Sequence, residues 1–212
     1  MDENNIYQGQ QQEPFQQPQP IKKKKSPLLF IIPVVIVAFL VVFFVVPPVL
    51  SNSLASKGDY KKAISIVKLS PVYKSKAREL KYEGYAYDCF KQLKQTFKNP
   101  DSISIRNVNS YYVSNKSQYD KYLDVTIIEL TAQNGYGGNS FGYLVYDNVK
   151  KTYAGLTYDL NKTEPDASDN EEEINECSVA QAINTAMKYL TKRDVHINID
   201  RLNKAVKSIW LK

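Results

Sequence analysis

The stretch from Leu28 to Leu50, LLFIIPVVIVAFLVVFFVVPPVL, carries no charge, no amide and no hydroxyl. A helix rises ~1.5 Å per residue, so roughly 20 apolar residues cross a hydrocarbon core of ~30 Å, and the run is long enough even if it stops at Val46. The composition therefore predicts a transmembrane helix over 28–50. Pro33, Pro47 and Pro48 would break a buried core helix but are tolerated within or at the end of a membrane helix, and Pro47-Pro48 are expected to mark its end. A cleaved secretory leader has an apolar core of only ~7–15 residues, shorter than this run. Ser53-Leu54-Ala55 nevertheless resembles a cleavage site, so a cleaved, secreted product stands as an alternative.

Four lysines, Lys22, Lys23, Lys24 and Lys25, abut the span on its N-terminal side, and basic residues beside a span stay cytoplasmic. The reading is N-terminus inside and residues 51–212 outside. Lys57, Lys61 and Lys62 on the other flank reduce the asymmetry, but a long downstream domain is translocated largely regardless of its charge. Residues 1–27 are rich in Gln and Pro (GQQQEPFQQPQP) with almost no aliphatic content, so they cannot bury enough surface to offset chain entropy. They are predicted to be a disordered cytoplasmic tail. Its prolines favour local polyproline II structure, but no PxxP with a recognisable basic flank is present, so the tail reads as a tether.

Residues 51–212 have room for one compact extracytoplasmic domain. The net charge of +6 is spread as single lysines among acidic residues, with no block beyond Lys22–Lys25 suited to a phosphate backbone, which argues against nucleic acid. A lysine-rich opening (Lys57, Lys61, Lys62, Lys68, Lys74, Lys76, Arg78, Lys81) suits anionic headgroups or an anionic wall polymer, against the plainer reading of a solvated helical face. The expected partners are the lipid bilayer and, as candidates, a cell-wall polymer or another surface protein.

Beyond the span, Gly58-Asp59-Tyr60 opens a helix with Tyr60, Ala63, Ile64 and Val67 on one face. Ser70, as N-cap, and Pro71 then start a second helix, whose apolar residues Ala77, Leu80, Gly84, Tyr87, Phe90, Leu93 and Phe97 keep helical spacing up to Asn99-Pro100. The opening resembles a tetratricopeptide-type hairpin, but one hairpin makes no solenoid. Strands follow at Ile103–Val113, Tyr122–Ala132, Ser140–Tyr146 and Tyr153–Leu160, a four-stranded antiparallel meander with one covered face. In the last strand Ala154, Leu156, Tyr158 and Leu160 share that face. The second strand changes phase, Leu123, Val125 and Ile127 being odd and Ile128, Leu130 and Ala132 even, which predicts a β-bulge near Ile127 and Ile128. Two C-terminal helices complete an α+β class. One buries Val179, Ile183, Ala186 and Leu190, and the other starts at Asp200 as cap and buries Leu202, Ala205, Val206 and Ile209.

Chemistry is sparse. The turn Asn134-Gly135-Tyr136-Gly137-Gly138 reads as a tight reversal, since a phosphate cradle needs a following helix and here a strand follows. The acidic loop 166–173 lacks the glycine and terminal glutamate of a calcium loop, so its carboxylates are expected to sit at the positive end of the next helix. The only histidine, His196, lies in a connector with no neighbouring nucleophile, and Cys89 reads as buried. No catalytic residue, cofactor or metal ligand is assigned, and the chain is not expected to be an enzyme. For Cys89 and Cys177, a disulfide and two buried thiols are both open. Among the 16 tyrosines, Tyr111, Tyr112, Tyr136, Tyr143 and Tyr153 are candidates for an exposed aromatic binding surface, against ordinary strand packing.

Lys98-Asn99-Pro100-Asp101-Ser102, a strand after it, and Ala132-Gln133-Asn134-Gly135-Tyr136-Gly137-Gly138 resemble a group of small surface proteins and lipoproteins of low-GC Gram-positive bacteria. The resemblance covers mainly residues 85–160. It implies a surface location and an α+β domain and transfers no active site. Unlike the lipoprotein members, this chain has no lipid-accepting cysteine after its apolar run. The expectation is a single-pass membrane-anchored binding or scaffolding module, the alternative a sensor that reports from the ectodomain to the tail.

Overall fold

The computed structural model describes residues 28–94, 97, 99–113, 124–133 and 138–211, without the side chains of 28–30. Two units divide at Ala38 and Phe39, and the second, from Phe39 on, carries the folded domain. The fold is α+β.

One helix, Ile31–Ser56, is long and apolar enough to cross a membrane, and Ile31 to Val46 are exposed along it. It comprises α1 (Leu28–Leu40), a π-helical turn (Val41–Val45) and α2 (Val46–Ser56). The proline pair does not end the helix, as the sequence suggested, but lies in the first turn of α2. The wide turn before it, closed by the Val46 N–H on the Val41 carbonyl, makes room for rings that would collide with a regular preceding turn. Pro48 has no N–H for the Phe44 carbonyl, and the Tyr73 hydroxyl donates to that carbonyl instead.

The turn at Lys57–Asp59 reverses the chain into α3 (Tyr60–Val67), whose N-terminus is capped by Asp59 accepting the Lys62 N–H at 3.2 Å. Gly58 at φ +82° permits the reversal, and a Cβ there would lie 2.2 Å from the Tyr87 hydroxyl. A short 3-10 turn, Pro71–Tyr73, leads into α4 (Lys74–Gln92). Ser70 stands at the predicted cap position but its side chain makes no capping bond. The second helix ends at Gln92 and not at Asn99. The Gln92 amide leaves the helix axis to accept the Tyr153 N–H at 2.8 Å and donate to the Lys151 carbonyl at 3.0 Å, and Trp210 Nε1 donates to the Lys94 carbonyl at 3.1 Å. Phe97 remains apolar for another reason, since its ring packs 6.3 Å from Phe90 and 6.4 Å from Trp210.

Four strands, β1 (Ser104–Tyr112), β2 (Asp124–Gln133), β3 (Asn139–Asp147) and β4 (Thr152–Thr157), form the predicted antiparallel meander. A two-residue β5 (Thr191–Lys192) pairs with the end of β1, giving the order β4-β3-β2-β1-β5. The sheet has two covered faces, which corrects the expectation of one. Ile128, Leu130, Leu144 and Tyr146 face a core built with Leu80, Ala86 and Phe90 of α4 and with Leu202 and Val206 of α6 (Ile199–Trp210). Tyr111, Ile127 and Val145 face Ile183 and Ala186 of α5 (Glu171–Tyr189). Ile127 and Ile128 therefore point to opposite cores, and β2 runs through them in unbroken register. The bulges lie elsewhere, at Arg106 in β1 and at Ala154 in β4. The second keeps Tyr153 and Leu156, three apart, on the α4 face, and leaves Ala154 exposed. Gly155 lies under α5 so closely that a Cβ would meet Val179 Cγ2 at 2.1 Å.

The acidic segment behaves as a helix start. Asn170 and Glu173 form a reciprocal capping box, Glu171 and Glu172 occupy the first turn of α5, and Asp169 pairs with Lys162 at 2.9 Å. The cap of α6 is Asn198, which accepts the Arg201 N–H at 2.8 Å, rather than Asp200.

Candidate functional site

Where α2 enters the domain, its last turns are built in. Ser51 and Ala55 are buried, and the Asn52 side chain accepts from Arg201 Nη1 at 2.7 Å. Arg201, on α6, reaches Glu83 on α4 with Nε to Oε1 at 2.7 Å and Nη2 to Oε2 at 2.5 Å. Tyr60, on α3, donates to Glu83 Oε1 at 3.0 Å, and Glu79 Oε1 lies 3.5 Å from Arg201. The Glu83–Arg201 pair thus gathers α2, α3, α4 and α6. Burial pushes the Tyr60 hydroxyl far up from its ordinary value, with the Glu83 charge adding to it, so it is a permanent donor. For Arg201 burial works against the charge, and the bonds and attraction of Glu83 more than offset it, leaving the guanidinium raised.

Beside this network, α3 and the first turns of α4 enclose a cleft of about 570 Å³. Ile64, Val67, Tyr73 and Ala77 supply its apolar wall, and Lys68, Lys74, Arg78 and Lys81 stand around it. Among the described residues no carboxylate lines it. Arg78 Nη2 donates to the Asp194 carbonyl at 2.7 Å, and Lys81 lies 5.6 Å from the ring centres of Tyr82 and Tyr85. Among the described residues, none of the four cations is paired with an acid. Of the lysine-rich opening, Lys62 and Lys76 are held by neighbouring acids at 3.0 Å and 3.1 Å.

The predicted tyrosine surface is not assembled as one patch. Tyr111 is buried against α5, Tyr143 leans on the same core, and Tyr153 packs on the opposite one. Tyr112 is half-buried, with the Arg193 guanidinium 4.0 Å from its ring centre, and Arg193 bonds Asp124 at 2.7 Å. Tyr136 and Lys22–Lys25 lie outside the described residues, as do the tail and most of the glycine turn. Cys89 and Cys177 are both free and both buried. Burial pushes the Cys89 thiol up, away from nucleophilic use, while His196 is exposed.

Asn99 and Ser102, ahead of β1, meet Gln133 at the end of β2. Asn99 Nδ2 donates to Gln133 Oε1 at 2.9 Å, and Ser102 Oγ accepts the Gln133 N–H at 2.8 Å while donating to the Asn99 carbonyl at 2.7 Å. The arrangement ties the Pro100–Ser102 turn to the end of β2, which is a structural reason for those residue types. Sequence reasoning missed the Glu83–Arg201 network; a glutamate and an arginine in the middle of otherwise apolar helix faces were its only sign. No family model, curated protein or solved structure matches the chain.

Proposed function

We infer that the protein is a single-pass membrane-anchored module, with a cytoplasmic N-terminus and an extracytoplasmic α+β domain that acts by binding or scaffolding. The observation that carries this reading is the Ile31–Ser56 helix, exposed along its apolar part and then built into the domain through Ser51, Asn52 and Ala55. The last turns of this helix are part of the domain's own packing and do not form a separate flexible tether. Lys22–Lys25 support the orientation. The same helix favours the sensor reading second, because a displacement of α6 is passed through Arg201 to Asn52.

The test is cysteine labelling in intact cells with an impermeant maleimide, using Ser26→Cys and the exposed Ser53→Cys. Both native thiols are buried, so the wild-type chain serves as the blank. Labelling at position 53 alone is the expected result. Labelling at position 26 alone places the domain in the cytosol and overturns the orientation, and labelling at neither rules out an exposed stem.

A further inference from the structure

We propose that the cleft between α3 and α4 holds one membrane phospholipid with an anionic headgroup, its phosphate met by Lys68 and Lys74 and its acyl chain lying on the half-buried Ile64 and Ala77. The proposal rests on the membrane-anchored reading and adds to it a specific ligand at the base of the domain.

The route of the chain supplies the first argument. The 11 residues of α2, which starts inside the apolar run at Val46, climb ~16 Å, and the eight residues of α3 descend ~12 Å after the reversal at Lys57–Asp59. The turn after α3 is thereby returned to the level of the span. The bond from the Tyr73 hydroxyl to the Phe44 carbonyl fixes this return, since Phe44 belongs to the apolar run and Tyr73 lines the cleft. Tyrosine at that depth has its ring among acyl chains and its hydroxyl at a polar group, the usual use of aromatic side chains at a membrane interface.

The same turn presents Leu69 and Val72 at 74% and 61% exposure. An exposed leucine and valine flanking a tyrosine that touches the span are solvated at a cost in water and buried in a bilayer at a gain. Lys68 and Lys74 bracket this apolar turn and have no acidic partner among the described residues. Their amines can reach headgroup phosphates while their stems lie along apolar surface. The cleft wall distinguishes among anionic ligands. A hydrated inorganic anion or a hydrophilic wall polymer would leave the exposed parts of Ile64 and Ala77 uncovered, whereas an amphiphile covers them and neutralises the cations together.

The full chain is reconstituted in nanodiscs of phosphatidylcholine with a minor fraction of phosphatidylglycerol, released, and its retained lipid counted by native mass spectrometry. The wild type is expected to keep one phosphatidylglycerol per chain in preference to phosphatidylcholine. Lys68→Gln/Lys74→Gln, at two exposed positions, is expected to lower that retention about tenfold or more, from the loss of two headgroup contacts of ordinary strength. Ala77→Phe fills the wall and leaves every charge in place, and is expected to lower it likewise. Undiminished retention in Ala77→Phe would mean surface electrostatics alone and would overturn the cleft. If Ala77→Phe lacks a cooperative melt, Ile64→Gln, at the half-buried wall position, takes its place, with lowered retention expected and undiminished retention overturning the cleft. Equal retention of phosphatidylcholine, or displacement of the lipid by excess inorganic phosphate, would also overturn the proposal. Nanodiscs expose both faces, so failure here leaves the anchored reading standing, and an inverted topology in the labelling experiment leaves this measurement valid.

Discussion

Arg201 holds Glu83 in a two-pronged grip, Nε to Oε1 at 2.7 Å and Nη2 to Oε2 at 2.5 Å, with Glu83's side chain fully buried and Arg201's 7% exposed. Such a pair has a large desolvation cost, and losing one partner strands the other charge. Arg201→Met is therefore expected to lower the stability of the full chain in detergent by about 3–5 kcal/mol. Glu83→Met/Arg201→Met is expected to cost much less than the sum of the single changes, because it leaves no buried charge. Denaturant melts of the four forms, followed by circular dichroism, give the coupling directly. Additive losses would show that the pair does not act as a unit.

Gly155 of β4 lies so close under α5 that a Cβ would stand 2.1 Å from Val179 Cγ2 but 3.3 Å from Val179 Cβ. Gly155→Ala is expected to destabilise by about 1–3 kcal/mol, as overpacking in a closed interface does. Gly155 also sits at φ +158°, where a side chain is strained whatever the space, so Val179→Ala, which removes the offending methyl, should restore only part of that loss in the double variant, and alone it costs stability by leaving a small void. Thermal melts of the single and double variants check this. A Gly155→Ala loss unaffected by Val179→Ala would place all of the strain in the backbone.

Glu176 of α5 has its carboxyl raised from the ordinary glutamate range, first by partial burial and then by Glu172 and Glu173. The Tyr158 N–H and Lys162 oppose the shift without cancelling it. A carboxyl that is harder to ionise in the folded state than in the unfolded one destabilises the fold while ionised, and that penalty fades as pH falls through its raised folded value. Glu176→Gln keeps an acceptor for the Tyr158 N–H and removes the charge. Its melting temperature should exceed the wild type's at neutral pH, and the difference should shrink as pH falls from above the ordinary glutamate range into it, with no further change below that range. A pH-independent difference would trace the effect to packing.

Much of the domain was legible because period and punctuation agree in it. The four strands fall within a few residues of their predicted limits, and the inward residues of α6, Leu202, Ala205, Val206 and Ile209, are those its spacing picks out. The errors share a physical origin in the number of faces a sheet can bury. Ile127 and Ile128 were read as a phase slip in one core, whereas each serves a separate core. Of the two slips that do exist, the one in β1 left a signal three residues wide. Ile105 and Val108 are both buried on the α4 and α6 face, a spacing that an unbulged strand cannot give. Leu93 and Phe97 kept helical spacing for packing on Phe90 and Trp210 while the chain had already left the helix. The cleft was invisible because it needs the Tyr73–Phe44 contact, made across a reversal that no local pattern encodes.

The cysteines lie on opposite sides of the sheet. Cys89 belongs to the core between α4 and the sheet, while Cys177 is on α5, which packs on the other face. Packed layers stand ~10 Å apart, and a disulfide needs Cα atoms within ~7 Å, so two helices separated by a sheet cannot be bridged without taking the domain apart. Burial also raises the Cys89 thiol, which reduces its thiolate fraction and its rate of oxidation. An aromatic disulfide reagent should therefore titrate essentially no thiol in the native full chain, even when it is prepared without reductant. After denaturation, still without reductant, it should titrate both cysteines. Failure to detect either thiol in the denatured, unreduced chain would mean an oxidised pair and would require α5 to pack differently from the arrangement described. Two thiols appearing at a rate set by global unfolding, and slowed by whatever stabilises the fold, would show that both are protected by the same cooperative core.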